Sequence, residues 1–207
     1  VLVAPATADA LAKAALGLAD DLLSATLLAG AKRVAWAPAM NEAMWLAPQT
    51  QAHVRRLEEL GHAFFGPAYG PLAGVGGGGG WGRMLEPEEL VERLRAFLAP
   101  KDLPGLRLLV SAGPTREYLD PVRFLSNPSS GRMGYAVAEA ARDRGAEVVL
   151  VSGPTALPDP WGVEVVRVES ALEMRKALLD RYPWAQAVVM AAAVADYRPA
   201  EPIEGKR

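Results

Sequence analysis

Strand-like and helix-like segments alternate along both halves of the chain, which predicts the α/β class, with two domains that each carry a parallel, doubly wound sheet. Short apolar runs supply the strands: Val1–Ala4, Val34–Ala37, Leu106–Val110, Val148–Val151, Val163–Val168 and Val188–Ala192. A polar, proline-bracketed segment, Pro100-Lys101-Asp102-Leu103-Pro104-Gly105, reads as a linker between domains of residues 1–99 and 106–207. The 207 residues are 51% hydrophobic, ample for two buried cores.

In the first half, Val1–Ala4 reads as the end of a buried strand. Leu11, Ala15, Leu18 and Leu22 then share one face at helical spacing. Val34–Ala37 ends in a turn at Pro38, and Val54, Leu57 and Leu60 mark a helix stopped by Gly61. The glycine-dense stretch 66–82 is expected to be irregular, with its GVGGGGGWG part a mobile flap. Pro87, early in a first turn where proline is tolerated, opens a helix carrying Leu90, Val91, Leu94, Phe97 and Leu98.

The second half restarts the pattern. Strand Leu106–Val110 precedes a helix of small residues, Met133–Arg144, that stops at Gly145. Strands at 148–151 and 163–168 follow. Ser170 and Glu173 have the spacing of a capping box, opening a helix before the last strand.

Composition removes several classes of function. A net charge of −2 gives no basic footprint for nucleic acid. Without cysteine there is no disulfide, thiolate metal site or cysteine nucleophile, and the two histidines, His53 and His62, read as surface residues. No apolar run reaches the roughly 20 residues of a membrane span. The opening VLVAP lacks the form of a signal peptide, so the expected location is cytoplasmic. The start at Val1 and the stop at Gly205-Lys206-Arg207 suggest a piece of a longer protein.

Ligands of open parallel sheets bind beyond the carboxyl ends of the strands, and the second half has unusual loops there. From Ser111 to Gly131 the connection runs about twenty residues, where 2–6 would be ordinary. It ends in NPSSGRMG at a helix start, where free amides and the helix dipole favour an anion. Ser129 and Ser130 add hydroxyl donors, while Gly131 and Gly134 allow close backbone approach. A lone SSG is more often a helix cap. Together with SGPT after the next strand and AAAVADY after the last, it describes a nucleotide or phosphate site. A GxGxxG turn after the first strand, a ribose-binding acid after the second and a GxxxxGK[ST] loop are all missing. Asp196 could hold a magnesium ion or a ribose hydroxyl, or be a turn residue before Tyr197. In the first half, Thr7, Asp9 and Asn41 could present polar groups at strand ends, and Met40, Met44 and Trp45 read as core.

These motifs resemble a known family. APATADALAKAALGLADDLLSATLLA and APAMNEAMW are similar to signatures of flavin-dependent cysteine decarboxylases. SAGPTREYLDPVRFLSNPSSGRMGYAVAEAARDRGA, SGPTAL and AAAVADYRP are similar to those of phosphopantothenate–cysteine ligase. The two are fused, decarboxylase first, in the bifunctional family of coenzyme A biosynthesis, and the resemblance covers nearly the whole chain. It implies two Rossmann-like three-layer domains, flavin-decarboxylase-like and then ligase-like. Residues 1–99 would be the C-terminal part of the decarboxylase domain and 106–207 the N-terminal part of the ligase domain.

For the first half the resemblance implies FMN against Thr7, Ala8, Asp9 and Ala39. Asn41 would grip the substrate's carboxyl end, and Asp20 would occupy a polar position that matters for activity. The implied reaction is oxidation of a cysteinyl group, loss of carbon dioxide and reduction of the enethiol. Where the family's flap carries cysteine after Leu-Ala, this chain has Leu72-Ala73-Gly74, and the position of the family's basic histidine lies upstream of Val1.

For the second half it implies that CTP activates 4′-phosphopantothenate as an acyl-cytidylate, which cysteine then attacks. Asn127 would contact that intermediate. Gly113, Ser129, Ser130, Gly131, Met190, Ala191, Ala192 and Asp196 would hold CTP, with Asp196 also a candidate for Mg2+. Lys206 would stabilise charge on the phosphates, or is a plain solvated lysine. A homo-oligomer is implied, without nucleic acid or membrane partners. Two other readings compete: a non-catalytic flavin- or nucleotide-binding regulatory subunit, and a Rossmann NAD(P) reductase, which the missing fingerprint opposes.

Overall fold

The structure is a computed structural model that describes residues 1–72 and 79–200. Gly74 and Lys206, singled out above, lie outside the described residues. The chain divides into two compact units, Val1–Leu98 and Ala99–Arg207. Both are mixed α/β units built on parallel sheets. No helix among the described residues is long and apolar enough to cross a membrane.

The first unit runs β1 (Leu2–Ala6), α1 (Ala8–Leu16), α2 (Leu22–Leu28), β2 (Ala35–Pro38), α3 (Glu42–Leu46), α4 (Pro48–Glu59), β3 (Ala63–Phe64), β4 (Ala68–Pro71), β5 (Gly79–Arg83) and α5 (Pro87–Leu98). Strands β1, β2 and β3 form a parallel sheet in that order. Side chains alternate across its faces. Val3 and Trp36 pack with Leu11 and Ala15 of α1 and Val54 and Leu57 of α4 on one side. Ala35 and Ala37 pack with Leu90 of α5, Phe65 and Leu85 on the other. The arrangement is three-layered.

Three expectations fail here. The stripe Leu11, Ala15, Leu18, Leu22 is not one helix: Gly17 caps α1 in the left-handed region, and Asp21 starts α2 through a capping box with Ser24. Leu18 and Leu22 are exposed as a result. Local cap chemistry outweighs apolar periodicity at that point. Stretch 66–82 is not wholly irregular, because β4 and β5 pair antiparallel within it. A cross-strand edge-to-face contact of Tyr69 and Trp81, ring centroids 5.8 Å apart, supports the pair.

His62 is the third departure. It is half-buried, stacked on Trp36, and its Nδ1 accepts a 3.0 Å hydrogen bond from Trp36 Nε1. That bond requires an unprotonated Nδ1. Burial lowers the His62 pKa from its ordinary 6.5. Because the folded value lies below the unfolded one, the contribution is fully present above pH 6.5 and is lost as pH falls through the folded value. The first unit's melting temperature should therefore fall between pH 8 and 5.5, and His62→Gln should flatten that fall.

The second unit runs β6 (Arg107–Ala112), β7 (Arg116–Tyr118), β8 (Phe124–Ser126), α6 (Arg132–Asp143), β9 (Glu147–Ser152), β10 (Glu164–Arg167), α7 (Ala171–Arg181) and β11 (Ala187–Met190). Four parallel strands lie in the order β10-β9-β6-β11. Tyr135, Ala138 and Ala141 of α6 cover Leu108, Val110, Val148 and Leu150 on one face. Met174 of α7 covers Leu109, Val149 and Val151 on the other. Ser170 and Glu173 cap α7 reciprocally. From β6 the chain moves outward through β9 to β10, then returns past β6 to add β11. The strand order therefore reverses between β6 and β11, and open α/β sheets bind ligands at such a switch point.

Candidate functional site

The long loop after β6 has its own structure, the antiparallel pair β7–β8. Asp120, 2% exposed, closes its turn by accepting from the Val122 and Arg123 amides and from Arg123 Nε at 2.6–2.8 Å. The backbone amide of Arg123, then that of Val122, and the Arg123 guanidinium hold this carboxyl below its usual range. The chain is thereby delivered to Asn127 and the start of α6.

At the switch point the loops after β6 and β11 are stitched together. Ser111 Oγ, fully buried, accepts from the amides of Ala191 and Ala192, each at 3.2 Å, and lies 3.8 Å from Met190 Sδ. Thr115 Oγ1 accepts from the Ala195 amide at 2.9 Å, and the Ala193 amide donates to Gly113 O at 2.8 Å. Asn127 Nδ2 donates to the carbonyls of Val194 at 2.9 Å and Ala193 at 3.4 Å. Both neighbours are acceptors, so the amine end must face them. Eight residues named from the sequence thus lie along two adjoining loops, Gly113, Asn127, Ser129, Ser130, Gly131, Ala191, Ala192 and Asp196, with Met190 at the end of β11 beside them. Asp196 is exposed on the second of them.

A third loop, after β9, joins through contacts that leave no room for a Cβ. Gly113 and Gly131 both have φ +74°, and a Cβ on Gly131 would come within 2.7 Å of Thr155 Cγ2 and 3.3 Å of Gly113 Cα. A Cβ on Gly153 would overlap the Pro114 carbonyl oxygen. Gly134 lets the first turn of α6 rest on β6, where a Cβ would lie 2.5 Å from Ala112 Cβ. Ser129 Oγ accepts from the Gly131 amide at 3.3 Å, and Ser130 is exposed. Beside this junction opens a cleft of about 780 Å³ lined by Arg116, Ser129, Ser130, Arg132, Pro154 and Thr155, among others. Two arginines, two serines and the amides at the start of α6 make it suited to anions.

Sequence reasoning did not single out Arg116, Arg132, Ser111, Thr115 or Tyr135. The Tyr135 hydroxyl lies 3.0 Å from Ser152 Oγ and accepts from Thr155 Oγ1 at 3.2 Å. Arg167 reaches the same two hydroxyls at 3.4 Å and pairs with Asp159. The arginines on either side of the SSG motif were the available signal. The tyrosine's partners lie too far along the chain for any local pattern. Tyr135→Phe should cost about 1–2 kcal/mol by leaving buried Ser152 and half-buried Thr155 with one partner fewer, measurable by denaturant unfolding.

In the first unit, β1 and β2 end together, with Ala6 opposite Pro38 and the Ala39 amide donating to Ala6 O at 3.0 Å. This brings Thr7, Ala8 and Asp9 beside Ala39 and Asn41. Thr7 Oγ1 caps α1 by accepting from the Ala10 amide at 3.2 Å, and Asn41 Oδ1 caps α3 by accepting from the Ala43 amide at 2.9 Å. Asp20 is drawn in through Lys13, whose ammonium lies 3.0 Å from Asp20, 3.3 Å from Asp21 and 3.7 Å from Asp9. Hydrogen bonds with Asp20, then Asp21, raise the Lys13 pKa well above the usual lysine value. Among the described residues no group of three or more His, Cys, Asp or Glu is placed to hold a metal ion.

Comparisons with known proteins agree with this two-part organisation. Residues 103–207 match the family described as DNA/pantothenate metabolism flavoprotein C-terminal domain, and residues 1–99 match the Flavoprotein family. The chain is 50% identical over 206 residues to a coenzyme A biosynthesis bifunctional protein CoaBC of Vibrio cholerae, covering 100% of this chain and 51% of the relative. It is 52% identical over 207 residues to the protein of that name from Mycobacterium tuberculosis, covering 97% and 49%. The chain thus spans about half the length of these curated relatives. Among solved structures it is similar to the C-terminal domain of a CoaBC protein, with 57% identity, a TM-score of 0.46 and coverage of 48% of this chain and 50% of that one. It is also similar to the FMN-binding protein AtHal3, with 38% identity, a TM-score of 0.42 and coverage of 47% and 52%. With a family match over residues 103–207 and about 50% identity to the bifunctional CoaBC proteins across the whole chain, this protein belongs to the DNA/pantothenate metabolism flavoprotein family.

Proposed function

We propose that the protein of which this chain is part serves coenzyme A biosynthesis twice. Residues 106–207 would contribute to CTP-dependent ligation of 4′-phosphopantothenate to cysteine, and residues 1–99 to FMN-dependent decarboxylation of the product. The observation that carries the ligase reading is the junction at the switch point. There Asn127 is fixed on the Ala193 and Val194 carbonyls beside a cleft holding Arg116, Arg132, Ser129 and Ser130.

In this reading the 4′-phosphopantothenate carboxylate attacks the α-phosphorus of CTP and pyrophosphate leaves. The cysteine amine then attacks the acyl carbon, and CMP leaves with the bonding electrons. Arginines and first-turn amides of α6 would offset the anionic phosphates. Asn127 would orient the acyl phosphate as a neutral amide, adding no charge to an anionic site, by turning Nδ2 from the Val194 and Ala193 carbonyls to the intermediate. Ala191, Ala192 and Met190, tied to Ser111, would form the wall against the nucleoside. Asp196 is a single exposed carboxylate, so a magnesium ion there would take its other oxygens from phosphates, as this ion commonly does.

In the first unit the residues suit a flavin. Ala8 and Ala39 carry nothing beyond Cβ at two adjoining strand ends, and α1 begins there with its Thr7 cap taking only the Ala10 amide of the first turn. FMN would supply two-electron oxidation and return of the electrons to the product. Thr7, Ala8, Asp9 and Ala39 would hold it, and Asn41 would orient the substrate carboxyl end. Glycine at position 74, where the family carries cysteine, favours a second reading in which this half binds flavin without turnover.

The test is pyrophosphate release by the full-length protein. Release that needs both 4′-phosphopantothenate and CTP supports the ligase. No release with any nucleotide would move the assignment to a non-catalytic binder, and preference for NADH over CTP would favour the reductase.

A further inference from the structure

Strand β5 is held against the segment that carries Asn41 by two hydrogen bonds outside any strand ladder. The Met40 amide donates to Gly82 O at 3.0 Å, and the Trp81 amide donates to Glu42 Oε1 at 2.9 Å. The approach is as close as the chain allows. A Cβ on Gly82, which has φ +139°, would overlap the Met40 carbonyl oxygen, and one on Gly80 would lie 3.0 Å from Glu42 Cδ. Glu42 directly follows Asn41, whose Oδ1 caps α3, and the Asn41 carbonyl accepts from the Met44 and Trp45 amides at 3.0 Å. The carboxylate of Glu42 thus takes the place of a backbone acceptor for β5, and the same turn of chain fixes Asn41.

We infer that Glu42 is a positioning residue for the decarboxylase half: it fastens β5 to the Asn41 turn and so sets where Asn41 meets the substrate's carboxyl end. This rests on the reading of Asn41 given under Proposed function. What Glu42 supplies is one oxygen acceptor. Glutamine can supply the same oxygen without charge, and alanine cannot. Half-buried beside a backbone amide, the group has no need to touch substrate or flavin.

The experiment uses full-length wild type, Glu42→Ala and Glu42→Gln, with two independent readouts. Amide hydrogen exchange at Trp81 reads the fastening directly. In Glu42→Ala it should accelerate about tenfold or more, and in Glu42→Gln it should stay near wild type. Decarboxylation of phosphopantothenoylcysteine reads the consequence. Glu42→Ala should raise KM about tenfold with kcat changed less, while flavin absorbance and CTP-dependent ligation are retained and Glu42→Gln restores KM. Unchanged exchange at Trp81 in Glu42→Ala would overturn the fastening. Equal impairment of Glu42→Gln and Glu42→Ala would overturn the acceptor role in favour of charge. Wild type without turnover would overturn the reading of Asn41, and the exchange arm would then decide alone whether Glu42 holds β5.

Discussion

Gly153→Ala should unfold the second unit more readily than a one-carbon change usually does. The added Cβ would occupy the position of the Pro114 carbonyl oxygen, with Gly113 C only 3.6 Å away. The obstacle is backbone on both sides, so no side chain can rotate out of the way. The loop after β9 would have to leave the loop after β6, and with it go the Gly153 amide bond to Ala112 O at 2.9 Å and the support for Thr155 under Gly113 and Gly131. A cost of about 3 kcal/mol, at the upper end for overpacking, would lower the melting temperature by about 10 °C or more. Gly105→Ala is the control: its Cβ would meet open space, and the left-handed backbone alone should cost about 1 kcal/mol. Equal, small shifts in both variants would mean that the loops do not meet as closely as described.

Asn127→Ala should remove most ligase turnover while leaving CTP bound. Nucleotide contacts in this account come from the Ser111-anchored alanines, the first turn of α6 and the arginines of the cleft, none of which the substitution touches. The lost amide acts where charge develops, and deleting one such group typically costs about 10²–10³-fold in kcat. Pyrophosphate release and product formation should then come apart, with an acyl-nucleotide persisting in the variant. A matching rise in the dissociation constant for CTP would instead make Asn127 a plain binding residue.

Much of this architecture could be read from the residues because its signals are local. The Ser170–Glu173 box stands where its spacing places it, and the strand after the linker has buried side chains on both faces, as an apolar run such as Leu106–Val110 requires. The unusual length of the 111–131 loop called for a function or a structure of its own, and β7–β8 lies within it. What stayed hidden is non-local. Tyr69 and Trp81 meet across eleven intervening positions, so a glycine-dense stretch looked incapable of pairing. Ser111 finds its partners 80 and 81 residues away, and nothing in a strand-end serine announces that. Leu18 and Leu22 misled because periodicity ignores a glycine that ends one helix and an aspartate that starts the next.

In the proposed function the crevice between β6 and β11 holds the nucleotide. A crystal structure of the full-length protein with CTP and 4′-phosphopantothenate tests it most directly. Phosphates are expected against the 127–132 segment and a nucleoside against Met190–Ala192, with Asp196 turned towards the ribose or the metal. A nucleotide seated anywhere else, or an empty crevice at saturating CTP, would contradict it.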